Sequence, residues 1–193
     1  MADTVSKADG GTFDASVTFA GDIIKSTAGT SNFAAGVNAG NSIASGGNYN
    51  TVVGDEAGTA LTTGDRNSAF GFEALKTATT ASYNVAVGYQ ALENNTGNSN
   101  TAIGDQALEA NTSGTNNSAL GDDALVSNTS GGSNVAVGES ALGANTEADN
   151  NVAVGKSALL SNTLGSRNTA IGTFSLDAQN FGSATNSNNT AVG

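Results

Sequence analysis

Residues 84–96 read NVAVGYQALENNT, and residues 151–163 read NVAVGKSALLSNT. The two phrases belong to one series. Aligned on the glycine of the phrase, the chain presents Gly54, Gly71, Gly88, Gly104, Gly121, Gly138, Gly155 and Gly172, spaced by 17, 17, 16, 17, 17, 17 and 17 residues. An earlier copy sits at Gly36 and a later one at Gly193. A fixed short period limits the chain to architectures in which each repeat stacks on its neighbours.

Positions around the glycine keep the same register. We number them relative to it. At −4 stands asparagine: Asn50, Asn67, Asn84, Asn100, Asn117, Asn134, Asn151 and Asn168, with Asn32 and Asn189 at the two ends. At −1 stands an aliphatic or aromatic residue such as Val87 or Ile103. Position +3 is mostly alanine, and +4 is leucine at Leu75, Leu92, Leu108, Leu125, Leu142, Leu159 and Leu176. Position +8 is threonine in seven copies, as in Thr96 and Thr112. Disordered low-complexity tracts do not hold large aliphatic residues at two fixed phases, so the repeat is a folded unit.

Seventeen residues are too few for the helical-pair repeats of roughly 33 to 47 residues, and suit one coil of a parallel β-solenoid or β-roll. The segment N-[T/V/S]-A-[V/I/L/F]-G reads as a strand, because it is short, alternating and rich in β-branched residues. Alternation puts Val85 and Val87 on one face and Ala86 on the other. The glycine permits a bend or a close backbone approach. The following x-x-A-L-x-x fits either a second short strand or a single helical turn, and N-T-x-G-x-x is turn chemistry. Strands of successive coils then form a parallel ladder rising about 4.8 Å per coil. The stacked asparagines are expected to form a side-chain ladder that satisfies backbone groups along the rod.

The large residues at −1 and +4, including Val87, Leu92, Ile103, Leu108, Leu125, Leu142 and Leu159, are expected in the core. One coil buries little by itself, and the alanines at −2 and +3 would let neighbouring chains approach closely. The expectation is therefore a parallel homotrimer with a shared aliphatic core, the alternative being a lone solenoid with an internal core. The repeat rod spans 32–193. Residues 1–31 fall outside the repeat, and their apolar residues Phe13, Val17, Phe19, Ile23 and Ile24 suggest a cap on the first coil or a docking segment.

Composition narrows the functions. The chain contains neither Cys nor His, which excludes disulfides, the common Zn and Cu ligand sets and His-based triads. No enzyme activity and no cofactor are expected. A formal net charge of −11 argues against direct nucleic-acid binding. The opening MADTVSKADGGTFDAS has no apolar stretch of the secretory type, and no apolar run is long enough to enter a membrane. The variable pairs at +1 and +2, such as Asp55-Glu56, Tyr89-Gln90 and Asp122-Asp123, read as a solvated edge rather than a stripe that binds glycans or divalent cations. Asp122, Asp123 and Asp149 are not read as Ca²⁺ ligands, since the G-G-x-G-x-D repeat of calcium-loaded rolls is missing.

The motif N-[T/V]-A-[V/I]-G-x-x-A-L-x-x-N-T resembles that of tail-fibre proteins of marine and cyanobacterial bacteriophages, as does the lead-in SNFAAGVNAGNSIASGGNYNTVVGDEAGTALTTGD at 31–65. More distantly it is similar to the β-roll heads of trimeric autotransporter adhesins, whose repeat is shorter. The resemblance covers residues 32–193. It implies a homotrimeric fibre shaft, a structural part of a virion at the surface of a phage particle, involved in host-cell attachment. Fibres of this type attach by the N-terminal end, so Phe13, Phe19, Ile23 and Ile24 become candidates for contact with other virion tail proteins, with a host surface receptor as a further partner. The self-cleaving chaperone domain that ends many such fibres is not seen here. Alternative readings are an adhesin head that binds a receptor along the rod and a capsid decoration or spike protein. An ice-binding solenoid is disfavoured because Val and Ser interrupt the Thr column at −3.

Overall fold

A computed structural model describes residues 29–178 and 187–193. Phe13, Val17, Phe19, Ile23 and Ile24 lie outside them. Among the described residues there is no helix; all the regular structure is strand, and each strand falls on one repeat. The ten strands are β1 (Phe33–Ala35), β2 (Thr51–Val53), β3 (Ser68–Phe70), β4 (Val85–Val87), β5 (Thr101–Ile103), β6 (Ser118–Leu120), β7 (Val135–Val137), β8 (Val152–Val154), β9 (Thr169–Ile171) and β10 (Thr190–Val192). They form a single parallel sheet in sequence order. Partners are the same repeat position in adjacent coils: Ala69 opposes Ala86, and Ala86 opposes Ala102. One repeat is therefore one coil of a β-solenoid of about nine turns. At the usual interstrand spacing the sheet runs on the order of 40 Å along the rod.

The A-L segment is neither of the two forms expected from its pattern. It is a chain of overlapping tight turns. In the coil of Gly121, Ala124 N–H donates to Gly121 O at 3.3 Å, Val126 N–H to Asp123 O at 3.2 Å and Asn128 N–H to Leu125 O at 3.0 Å. The first two turns need a left-handed third residue, as type II turns do. Asp123 and Leu125 supply it, both with φ 55°, and their counterparts do so in the other coils, for example Gln90 and Leu92 at 53°. Leucine rarely adopts this conformation, at a cost of about 1–2 kcal/mol. Burial of the side chain offsets it: Leu92, Leu108, Leu125, Leu142 and Leu159 are fully buried. The turns also bond from coil to coil, with Leu92 N–H donating to Ala107 O at 3.0 Å and Gln90 N–H to Phe72 O at 2.9 Å.

Gly88 shows why the anchor glycine recurs. Its φ is +140°, a region closed to side chains. A Cβ there would also lie 2.1 Å from the carbonyl oxygen of Gly104 in the next coil. The seven other anchors from Gly54 to Gly172 have φ between +128° and +144°.

The first coils fill their interiors differently from the later ones. In the coil of Gly54 the filling side chains are Val52 and Leu61, with Gly58 at the +4 position; a Cβ on Gly58 would stand 2.8 Å from Val52 Cγ1. In the coil of Gly88 they are Ala86, Leu92 and Asn95. The large aliphatic moves from +7 to +4, and the vacated +7 position becomes polar. Changes of period are taken up in the turn after +8: the 16-residue coil lacks one residue between Thr96 and Gly97, yet Val87 still pairs with Ile103.

Candidate interaction surface

Two kinds of site arise from this frame: an internal polar ladder that holds the coils together, and an outer sheet face that is left open. The ladder begins with the asparagines at −4. Asn50, Asn67, Asn84, Asn100, Asn117, Asn134, Asn151 and Asn168 are all fully buried. Each Oδ1 accepts a backbone N–H from the next coil: Asn100 N–H donates to Asn84 Oδ1 at 2.9 Å and Asn117 N–H to Asn100 Oδ1 at 3.0 Å. The Nδ2 group binds within its own coil, from Asn100 to Gly114 O at 2.8 Å, fourteen residues on. One side chain thus joins two coils and closes one, so that few buried polar atoms are left without a partner.

A second buried column was not assigned a role from the sequence. At +7, Asn95, Asn111, Asn128, Asn145 and Asn162 are fully buried. Asn111 Nδ2 donates to Asn95 Oδ1 at 2.6 Å and Asn128 Nδ2 to Asn111 Oδ1 at 2.7 Å. Both columns meet on one carbonyl, since Asn111 Nδ2 also donates to Gly114 O at 3.0 Å. That oxygen has two lone pairs and uses both. The signal was present in the N-T pair of the repeat, but Ile43, Leu61 and Ala78 hold this position in the first coils. Two further columns bond outside the core. Thr112 Oγ1 donates to Thr129 O at 2.9 Å, and Asp65 and Ser82, at −6, accept N–H groups of Asn48 and Asp65 at 2.7 and 2.9 Å.

The outer face corrects part of the expected core. Val87 is half-buried and Ile103 is 39% exposed, both on the outside of the sheet. The alternation that pairs Val85 with Val87 puts Ala86 inside, and the coil encloses its own core around alanine and Leu92. No room remains inside for a large residue at −1. The alanines at −2 and +3 are likewise buried within their own chain, so they do not space one chain from another.

This leaves a long open surface. Positions −3 and −1 of all ten strands point outward, and none of the twenty residues is charged. Position −1 carries Val53, Phe70, Val87, Ile103, Leu120 and Val137 in successive coils, with Leu120 47% exposed. Single exposed apolar residues are ordinary, whereas a contiguous exposed stripe marks an interaction site.

The face has two borders. Beyond its glycine end runs the exposed +1 column, whose charged residues are Asp55, Asp105, Asp122 and Glu139 with one cation, Lys156. Of the variable pairs only this first member is exposed; Glu73, Gln90, Gln106 and Asp123 at +2 are half-buried. Burial, and next the neighbouring Asp122, Asp105 and Glu139, push the Asp123 carboxyl above its ordinary range. Burial and Glu73 raise Glu93 in the same way. Lys76 relieves the column locally: its hydrogen bond, with one from Gln90, holds Glu73 below the usual range, and it reaches Glu56 Oε2 at 3.1 Å. Lys156 bridges to Glu139 at 2.8 Å. On the other border, at −5, the Arg66 guanidinium lies between the rings of Tyr49 and Tyr83, 5.3 and 5.4 Å from their centres. Among the described residues no group of His, Cys, Asp or Glu is arranged to hold a metal ion. Asp149 stands at −6, across the sheet from Asp122 and Asp123, and accepts Gly132 N–H at 2.6 Å. No helix of the described residues is long and apolar enough to cross a membrane.

Comparison with protein-family models, with curated proteins and with solved structures finds no match.

Proposed function

We propose that this chain is the shaft of a trimeric phage tail fibre, a structural part of the virion that carries host-cell attachment, and that three parallel copies pack through the outer sheet face. The observation that carries the reading is that face: ten strands long, without a charge, and aliphatic or aromatic along its whole −1 column. A chain of net charge −11 repels its own copies, and an uncharged face is where they can meet. Its length suits a partner of the same periodicity. Burying the −1 column would remove its exposed apolar surface from water, at roughly 25 cal/mol per Å² of apolar area.

Charge favours parallel copies. Rotation about an axis along the rod brings the acidic +1 border of one copy beside the −5 border of the next, which carries Arg66 and Arg167. An antiparallel pair would set acidic border against acidic border. The number three follows from the resemblance of the repeat to homotrimeric fibres. The rest of the molecule fits the role of a spacer: the buried asparagine columns and coil-to-coil bonds give length and stiffness. Residues 1–31 are proposed to join the shaft to other tail proteins, leaving host contact to the distal side. Immunogold electron microscopy of virions with an antibody against the repeat tests the assignment. Labelled fibres at the tail are expected; label on the capsid alone, or none on the particle, would overturn it.

A further inference from the structure

Near-identical coils create a problem that the parallel packing does not solve. Slipping one copy by a coil replaces each −1 aliphatic residue with another and leaves the uncharged face intact, so the face alone specifies axial register weakly. A landmark at one height would remove the ambiguity, and the rod has one.

We infer that two aromatic stacks, one on each border of the sheet, the first at the level of β3 and β4 and the second at β2 to β4, clasp each other between neighbouring copies and set their register. On the +1 border, Phe72 and Tyr89 stack with ring centres 5.4 Å apart and planes 11° from parallel. On the −5 border, Tyr49, Arg66 and Tyr83 form the ring–guanidinium–ring stack, closed by a 3.1 Å hydrogen bond from Arg66 Nη1 to Tyr83 Oη. All three tyrosines of the chain are in these stacks. Tyr49, Tyr83, Phe72 and Tyr89 are each 41–56% exposed. In the other coils the +1 position is Val, Thr or charged, and −5 is Ser, Asn or Arg.

The inference rests on parallel packing through the sheet face, because only a rotation about the rod axis puts one copy's +1 border beside the next copy's −5 border at equal height. There the stacked pair of one copy meets the Tyr–Arg–Tyr stack of the other. Tyrosine and arginine are the side chains enriched at such anchors, and the guanidinium is held flat by its rings, so little freedom is lost on contact. In a ring of three, a copy that slips by one coil moves up at one seam and down at the other. At one seam the ring pair still meets Tyr49 and Arg66, at the other it meets Tyr83 and Ser99, so the clasp is lost in part, and a slip of two coils leaves at most Tyr49 in contact.

Cysteine cross-linking tests it in the full chain, which has no cysteine of its own. Asn116→Cys with Asp122→Cys places one thiol on each border of the same coil; Ser133→Cys with Asp122→Cys is displaced by one coil. Asn116 and Ser133 have the same left-handed backbone, φ 60° and 58°, so the two pairs carry equal strain. Within one chain the paired positions stand about 20 Å apart, the span of six extended residues, far beyond disulfide reach. With the stacks intact, the first pair is expected to form interchain disulfides and the second none. Adding Phe72→Ser and Tyr89→Ser should erase that preference and let both pairs cross-link. An oligomer that cross-links both pairs equally with the stacks intact, or keeps the preference without them, overturns the clasp while leaving the parallel packing standing. A chain that sediments as a monomer overturns both.

Discussion

Asn134 donates its backbone N–H to the side-chain oxygen of Asn117, one coil away, at 3.0 Å, and both residues are fully buried. The bond recurs at every coil boundary from Asn32 to Asn189, as from Asn151 to Asn134 at 2.9 Å. It is the most regular feature of the rod, and it makes the stability of one coil depend on the side chain of the one before.

Asn117→Ala should therefore destabilise beyond the size of the side chain. The Asn134 N–H is left buried without an acceptor, a cost of about 1–3 kcal/mol. Gly131 O loses the amide of Asn117 but keeps that of Asn128 at 3.0 Å. Ser113→Ala, on an exposed turn, is the control, with an expected change within about 0.5 kcal/mol. Urea unfolding of the two variants measures the difference.

Leu108 and Ile103, five residues apart, should separate folding from association. Leu108 is fully buried in its coil, and Leu108→Ala is expected to cost about 2–5 kcal/mol. Ile103 is on the outer face, so Ile103→Ala should leave the unfolding of the isolated chain nearly unchanged and weaken self-association. Denaturation at low protein concentration, followed by sedimentation, reads the two effects apart.

Much of this was legible in the sequence. The period, the strand and the anchor glycine carry chemistry that any fold must satisfy, and the constancy of asparagine at −4 already pointed to a ladder. The direction of the sheet did not follow from alternation. Val85 and Val87 share a face in any strand, but whether that face is inner or outer depends on what else fills the coil. Leu92 and Asn95 fill it here, and the backbone that brings them in uses left-handed leucine, a conformation that leucine's own preferences argue against. The Asn column at +7 is masked in the sequence by Ile43, Leu61 and Ala78; Ile43 and Leu61 stand in coils whose +4 residues are Gly40 and Gly58.

That exchange of volume predicts coupling. Asn111→Leu alone crowds Leu108, with an overpacking cost of about 1–3 kcal/mol, and Leu108→Gly alone leaves a cavity. Together they restore the Gly58 and Leu61 pair, with Ala102 standing where that coil has Val52. A double-mutant cycle should show a favourable coupling of about 0.5–3 kcal/mol; the ladder bonds lost with Asn111→Leu are lost equally in the single and the double variant, and cancel.

Asp123 predicts a pH effect of defined sign. Its folded-state pKa is raised by burial and by Asp122, Asp105 and Glu139. The charged carboxylate therefore costs stability at neutral pH, and the cost vanishes as pH falls through the raised value toward the ordinary 3.8. Asp123→Asn should be the more stable form at neutral pH, with the gap narrowing across that window. Thermal unfolding of both proteins at a series of pH values checks the slope.

Sedimentation equilibrium of the purified chain, beside Leu120→Asp, tests the packing of copies through the sheet face most directly. The unmodified chain is predicted at three times its 18.8 kDa mass, and the variant, with a charge on the exposed −1 column, at the mass of one chain with the same circular dichroism. A monomer at every concentration, or an oligomer indifferent to the charge at 120, would contradict the account.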